Sequence, residues 1–129
     1  MIGLDTNTLL RLALDDDPDQ RRRVVALLGR GGEVFSINPI VLAEATWTMD
    51  RKLKLGRARV ASFIEQVLDT AQFSVQSETA VARALADYRT GRADFADYLL
   101  AEMNLDAGCR TTATFDRDAL DAKAFSAVP

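Results

Sequence analysis

The stretch MIGLDTNT, residues 1–8, is the part of the sequence that most clearly indicates the fold class. Its apolar residues predict a short buried strand that ends at Asp5. The three polar residues after Asp5 offer side chains that can cap a following helix. Ligands of α/β sheets bind at the carboxyl ends of strands, so an acid at this position is a candidate for metal chemistry. Taken alone, an acid there more often serves in a turn or a cap.

Strands and helices alternate along the remainder of the chain. Further strands are predicted at EVFSI (33–37), FSVQ (73–76) and RTTATF (110–115), with an edge strand in the tail at 124–128. The segments between them have helical apolar spacing, and Asn38 and Ser77 are predicted to cap two of the helices. We therefore expect one α/β domain over residues 1–129, a three-layer α/β/α sandwich with a central, mostly parallel sheet.

The composition restricts the chemistry that this chain can perform. The 129 residues include no histidine and one cysteine, and the net charge is −3. Imidazole catalysis and metal sites of histidine or several cysteines are excluded, which leaves carboxylates, hydroxyls, lysine or a bound ion. Cys109 is expected to fill a small space in the core. No apolar run could span a bilayer and no secretory pattern is present, so we expect a cytoplasmic protein without a membrane partner.

Several acids from separate segments are predicted to converge on one edge of the sheet. Asp5 and Asp116 each end a strand, and the carboxyl ends of parallel strands share an edge. Asp94 and Asp97 lie one helical turn apart, and the next helix is expected to begin directly after Asp97. Glu44 lies in the second turn of the helix after the second strand. Each acid also has an ordinary explanation as a cap, a turn residue or a solvated helix position.

Convergence of carboxylates favours a bound cation. Two unpaired carboxylates about 4 Å apart repel by up to about 4 kcal/mol at an intermediate dielectric, so a fold tolerates several only with a cation or protons. Oxygen ligands without nitrogen or sulfur favour Mg²⁺, with Mn²⁺ as the alternative. Removing one charge, as in Asp5→Asn, is accordingly expected to stabilise the metal-free protein.

Four segments carry a family resemblance. They are LDTNTLL (4–10), NPIVLAEATWTMDRKLKLGRARV (38–60), DFADYLLAEMNLDAGC (94–109) and TATFDRD (112–118). In this order and spacing the sequence resembles a PIN domain, and within that superfamily the VapC-type ribonuclease toxins of bacterial toxin–antitoxin pairs. The resemblance implies a metal-dependent endoribonuclease, a cognate antitoxin protein as partner, and a homodimer.

The resemblance also assigns roles to the acids. It implies a catalytic quartet of Asp5, Glu44, Asp97 and Asp116. Asp94 is an extra acid, and which of Asp94 and Asp97 binds the metal directly stays open. Asn7 and Thr114 match the positions that support the first and last acids.

A basic run spans the junction between the helix after the second predicted strand and the next helix: Arg51, Lys52, Lys54, Arg57 and Arg59. Such a run is usually a solvated junction between helices. The alternative is a rim that contacts RNA phosphates, which would supply the attraction that the net charge does not. Trp47 is expected in the core rather than as a platform for stacking bases.

These observations favour a Mg²⁺-dependent endoribonuclease that cleaves RNA with a metal-activated water. Asp5, Asp97 and Asp116 would hold the ion, and Glu44 would complete its shell or orient the water. One alternative is an aspartyl-phosphate or receiver-type domain, but neither FSVQ nor RTTATF is followed by the required acceptor Asp or Lys in the right place. The other is a non-catalytic PIN-like binding scaffold, against which the intact quartet argues.

Overall fold

Short parallel strands, most of them followed closely by a helix, define the fold. A computed structural model describes residues 1–129. The strands are β1 (Ile2–Gly3), β2 (Phe35–Ile37), β3 (Phe73–Val75), β4 (Thr112–Thr114) and β5 (Phe125–Ala127). The helices are α1 (Thr6–Ala13), α2 (Pro18–Leu28), α3 (Pro39–Trp47), α4 (Arg57–Asp69), α5 (Glu78–Thr90) and α6 (Phe95–Asp106). A π-helical turn (Thr48–Lys52) continues α3, and a 3₁₀ turn (Ala119–Asp121) precedes β5.

Every strand pairing is parallel, as the alternation of elements predicted. Strands β1, β2 and β3 form one sheet in that order, with Ile2 opposite Phe35, and β4 and β5 form a second, with Thr112 opposite Phe125. The α/β class and the parallel sheet flanked by helices are confirmed. The ladder is divided into two sheets, however, whereas a single central sheet was expected. Strand β1 contains only two residues and already pairs with β2. It therefore offers few backbone groups for hydrogen bonds to a further strand on its other edge.

A continuous cluster of buried side chains joins the sheets to the helices. Phe35 and Ile37 of β2 and Ile64 of α4 are fully buried. Tyr88 of α5 and Tyr98 of α6 expose only 1% of their surface. Burial of each large apolar side chain stabilises the fold by roughly 1.5–3 kcal/mol relative to exposure. No helix is both long enough and apolar enough to span a membrane.

Three expectations about individual side chains are wrong. Trp47 is 55% exposed, because it shares the outer face of α3 with Ile40, which lies two turns earlier and is also exposed. Cys109 is exposed because it lies in the turn after α6, three residues before β4 begins. Ser77 precedes α5 in the left-handed conformation, with φ of 54°, and its side chain makes no capping hydrogen bond.

Glu102 on α6 is a buried carboxyl that the sequence did not reveal. Only 6% of its surface is exposed. Burial, the hydrogen bond with Asp87 and the negative charge of Asp87 raise the pKa of Glu102 to about 7. The unfolded chain ionises the same carboxyl above a pH of about 4.5. The folded protein therefore holds a proton on Glu102 across a pH range in which the unfolded chain has lost it.

We expect Glu102→Gln to flatten the dependence of stability on pH. Because the folded-state pKa is raised, the wild-type protein loses stability relative to the variant as pH rises from about 4.5 through 7, by on the order of 2 kcal/mol. Urea unfolding of both proteins at pH 5 and pH 8 measures this difference. Glu78→Gln, which changes an exposed carboxyl in the first turn of α5, is the matched control. Parallel pH profiles for wild type and Glu102→Gln would show that Glu102 ionises normally.

Candidate functional site

Asp5 lies where β1 ends and α1 begins. It is the N-cap of α1, and its Oδ1 accepts a hydrogen bond from the Thr8 N–H with the two atoms 2.9 Å apart. This backbone bond, with a further one from the Thr8 side chain, lowers the pKa of Asp5. Because donors stabilise the charged carboxylate, we now expect no gain in stability from Asp5→Asn.

Asp94 and Asp97 together start α6. The helix begins at Phe95, with Asp94 as its N-cap and Asp97 as its third residue. The Asp94 N–H donates to Asp97 Oδ2 across 3.3 Å, one half of a capping box between the two residues. The prediction that the helix begins after Asp97 is therefore wrong. Two possible caps lie one turn apart, and the capping box selects the earlier one.

An arginine neutralises Asp94. Arg51 Nη2 and Nε lie 2.9 and 3.2 Å from Asp94 Oδ1. Arg51 lies in the π-helical turn after α3, so this ion pair ties that turn to the start of α6. The hydrogen bond to Asp94 raises the pKa of Arg51. No local pattern could have indicated the pair, because its members are 43 residues apart in the sequence.

Asp97 has no such cation. It is half-buried, and burial raises its pKa, as do the negative charges of Asp94 and, more weakly, Asp116. The Asp94 N–H and the charge of Arg51 act in the opposite direction without reversing the shift. The effect of Asp116 shows that α6 and the turn after β4 bring these two acids into electrostatic range.

Asp116 is held by the turn that follows β4. Thr114 Oγ1 accepts a hydrogen bond from the Asp116 N–H at 3.0 Å, which fixes the backbone of the acid. Asp116 Oδ1 in turn accepts from the Asp118 N–H at 2.9 Å, so the acid also performs the ordinary function of a turn residue. The support expected from Thr114 is thus a backbone contact, and the Asp116 side chain remains exposed.

The remaining candidates lie apart from this group. Glu44 is exposed on α3, and Asn7 is exposed in the first turn of α1. No three acids of the chain lie close enough to form a complete cation site. The structure therefore places Asp97 within the electrostatic influence of Asp94 and of Asp116, and it does not gather the whole quartet. The candidate donors are all carboxylate oxygens, which is the ligand chemistry of a hard divalent cation.

The sequence profile of the PIN domain matches residues 2–125. The chain belongs to the PIN domain family. Comparison with curated proteins gives no match. PIN domains are generally metal-dependent nucleases, so membership indicates a nuclease-type hydrolase and confirms the family resemblance and the fold class.

In this PIN domain the basic run has mostly internal partners. Arg57 donates to the carbonyl oxygens of Ala93 and Tyr88, at 2.8 and 2.6 Å, and its guanidinium lies 3.8 Å from the centre of the Tyr88 ring. Arg59 donates to the Ala13 carbonyl at 2.9 Å. Together with the ion pair of Arg51, these contacts assign three of the five cations to structural roles. Lys52 and Lys54 are exposed and stay candidates for contact with RNA.

We expect Asp97→Asn to stabilise the metal-free PIN domain. Because the folded state raises the pKa of Asp97, its ionised form is disfavoured, and that cost begins as pH rises above the pKa of the unfolded chain. The variant should therefore melt a few degrees above wild type in EDTA at pH 7 and close to wild type at pH 4. Asp5→Asn, which alters a carboxylate held by donors, should show no gain. A lower melting temperature for Asp97→Asn at pH 7 would contradict this electrostatic interpretation.

Proposed function

We propose that this PIN domain is a Mg²⁺-dependent endoribonuclease, the cytoplasmic toxin of a type II toxin–antitoxin pair of the VapC type. The main support is the unbalanced charge around Asp97. Its carboxyl is half-buried at the start of α6, next to Asp94 and within range of Asp116, and its pKa is raised in consequence. Burial and like charges are commonly combined in active sites to shift pKa values, and the two acids that raise the pKa of Asp97 belong to the candidate site.

The ion would be held by Asp5, Asp97 and Asp116, with Mn²⁺ as an alternative to Mg²⁺. Arg51 already neutralises Asp94, which favours Asp97 as the direct ligand and Asp94 as a residue that positions it. When bound, the ion would supply charge for the scissile phosphate and activate water for attack. The three side chains do not form a ready cluster around one point. Because Asp5 and Asp116 are exposed and Asp97 is half-buried, the side chains would have room to turn towards a bound ion.

The protein's own groups restrict the mechanism further. The chain has no histidine to deprotonate the 2′-hydroxyl of RNA, so attack by water on the phosphate is the favoured route. Glu44 would orient that water once substrate is bound. Thr114 fixes the backbone of Asp116, and the capping box fixes that of Asp97, so two of the three acids start from defined positions.

A non-catalytic PIN-like binding scaffold is the second candidate. The lack of a preformed cluster of three acids favours it. The aspartyl-phosphate or receiver-type alternative has lost its support, because the PIN domain profile covers residues 2–125. The antitoxin partner and the homodimer belong to the first proposal and rest on the resemblance to VapC-type toxins alone.

We expect Asp97→Asn to abolish Mg²⁺-dependent cleavage of RNA and Asp94→Asn to weaken it 10–100-fold, the usual cost of a residue that orients a ligand. Gels of RNA incubated with each purified protein, with and without Mg²⁺, measure both effects. Asp69→Asn, at the exposed end of α4, removes the same charge elsewhere and should retain full activity. A larger loss for Asp94→Asn than for Asp97→Asn would assign the direct ligand to Asp94. Full activity of both variants would favour the scaffold.

We expect the products to carry a 5′-phosphate and a 3′-hydroxyl, because the nucleophile is water rather than the RNA's own 2′-hydroxyl. An RNA with one deoxynucleotide just 5′ to the scissile phosphate should still be cleaved, more slowly if the hydroxyl aids recognition. Mass spectrometry of the fragments identifies the ends. Cyclic phosphates, or complete resistance of the deoxy substrate with its binding intact, would rule out this mechanism while leaving a ribonuclease.

A further inference from the structure

An open cleft of about 350 Å³ lies between α1 and α2, beside Asp5. Asp5 and Asn7 line one part of it. Its volume lies within the roughly 300–1,000 Å³ of small-ligand sites in proteins. The cleft is therefore large enough for part of a polymer chain to enter next to one of the candidate metal ligands.

One face of α2 forms a wall of this α1–α2 cleft. Gln20, Arg23, Val24 and Leu27 line it at helical spacings of three, four and seven residues. Val24 is buried and Leu27 half-buried, whereas Gln20 and Arg23 are exposed. The wall thus combines an apolar part with an amide and a guanidinium. An apolar surface can pack against the face of a nucleotide base, an amide can hydrogen-bond its edge, and a guanidinium can pair with its phosphate.

Arg23 differs from the two arginines before it. Arg21 donates to the Leu12 carbonyl at 2.7 Å, and Arg22 pairs with Asp19 at 3.2 Å. Arg23 forms no ion pair or side-chain hydrogen bond within the chain, and it alone of the three lines the α1–α2 cleft. Arg11 on the opposite wall is already paired with Asp16 at 2.7 Å. The free positive charge of the cleft therefore resides on Arg23.

We propose that the α1–α2 cleft binds the nucleotide of single-stranded RNA next to the scissile phosphate, with Arg23 pairing its phosphate and Gln20 contacting its base edge. Arginine presents two N–H groups in the geometry of a phosphate, and glutamine can both donate to and accept from a base. The apolar part formed by Val24 and Leu27 takes the face of the base or ribose. The inference rests on the proposed ribonuclease function and names a part of its substrate site.

Arg23→Gln tests the phosphate contact, and Arg22→Gln is its matched control on the same helix with the same change in charge. Both are made in an Asp97→Asn background and kept in EDTA, so that RNA is bound without being cleaved. Fluorescence anisotropy with a labelled single-stranded RNA of about 12 nucleotides gives Kd at several salt concentrations. Thermal melts confirm that both variants are folded.

We expect Arg23→Gln to weaken binding about tenfold and to reduce the slope of log K against log salt by about 0.7, the value for one phosphate contact on a single strand. The Kd of Arg22→Gln should remain within about twofold of that of its parent, because the charge of Arg22 is exposed and already paired with Asp19. Gln20→Ala should leave the salt slope unchanged and, in the active protein, alter the preference for the base at the cleavage site.

Equal losses for Arg22→Gln and Arg23→Gln, or an unchanged salt slope for Arg23→Gln, would overturn the proposed subsite. Failure of the subsite and failure of the proposed function give different results. If the wild-type protein cleaves RNA and Arg23→Gln binds it normally, the ribonuclease stands and the subsite falls. If binding depends on Arg23 but the wild-type protein cleaves no RNA in Mg²⁺, the cleft still binds RNA, and the catalytic proposal and the placement of the nucleotide next to a scissile phosphate both fall.

Discussion

Parallel pairing of very short strands is the constraint on which this structure depends. Each strand contributes two or three residues, and the chain turns into a helix almost at once after the first two. Asp5 caps α1 after β1, and Asn38 caps α3 after β2, with its side chain 2.8 Å from the Ile40 N–H. Strand ends and helix starts therefore coincide, so that donor N–H groups and polar side chains collect at the same edge of the sheet.

The acids of the candidate site meet three different electrostatic environments. Asp5 is stabilised by N–H and hydroxyl donors of Thr8, and Asp94 by the guanidinium of Arg51. Asp97 is half-buried beside Asp94, within range of Asp116, and has no cation of its own. The unrelieved negative charge is thus concentrated at the start of α6. A divalent cation would relieve it there, and in its absence protonation is the remaining way to do so.

The main elements of the fold could be predicted from the sequence because their signals are local. Apolar runs and caps such as Asn38 define the strands and the helix starts, and the alternation of elements requires parallel pairing. The start of α6 was misplaced because Asp94 and Asp97 are both good caps, and only the capping box distinguishes them. Trp47 was misplaced because α3 is apolar around most of its surface, so its composition does not reveal which face is outermost.

The parts of the site that could not be predicted depend on contacts between distant segments. Arg51 and Asp94 are 43 residues apart, and the basic run that contains Arg51 gives no sign that three of its cations have partners within the fold. Burial of Glu102 depends on how α5 packs against α6, and its partner Asp87 lies on that other helix. Tertiary packing determines these pairings, and periodicity within one element carries no information about them.

The most direct test of a cation centred on Asp97 is Mn²⁺ binding followed by electron paramagnetic resonance, in which only the free ion gives a strong signal. The wild-type protein should bind at least one Mn²⁺ saturably, and Mg²⁺ should displace it. Asp97→Asn should lose that binding, whereas Asp94→Asn should retain a weaker form of it. A wild-type protein that binds no Mn²⁺, or an Asp97→Asn variant that binds it as tightly as wild type, would contradict the assignment of this edge of the fold as a metal centre.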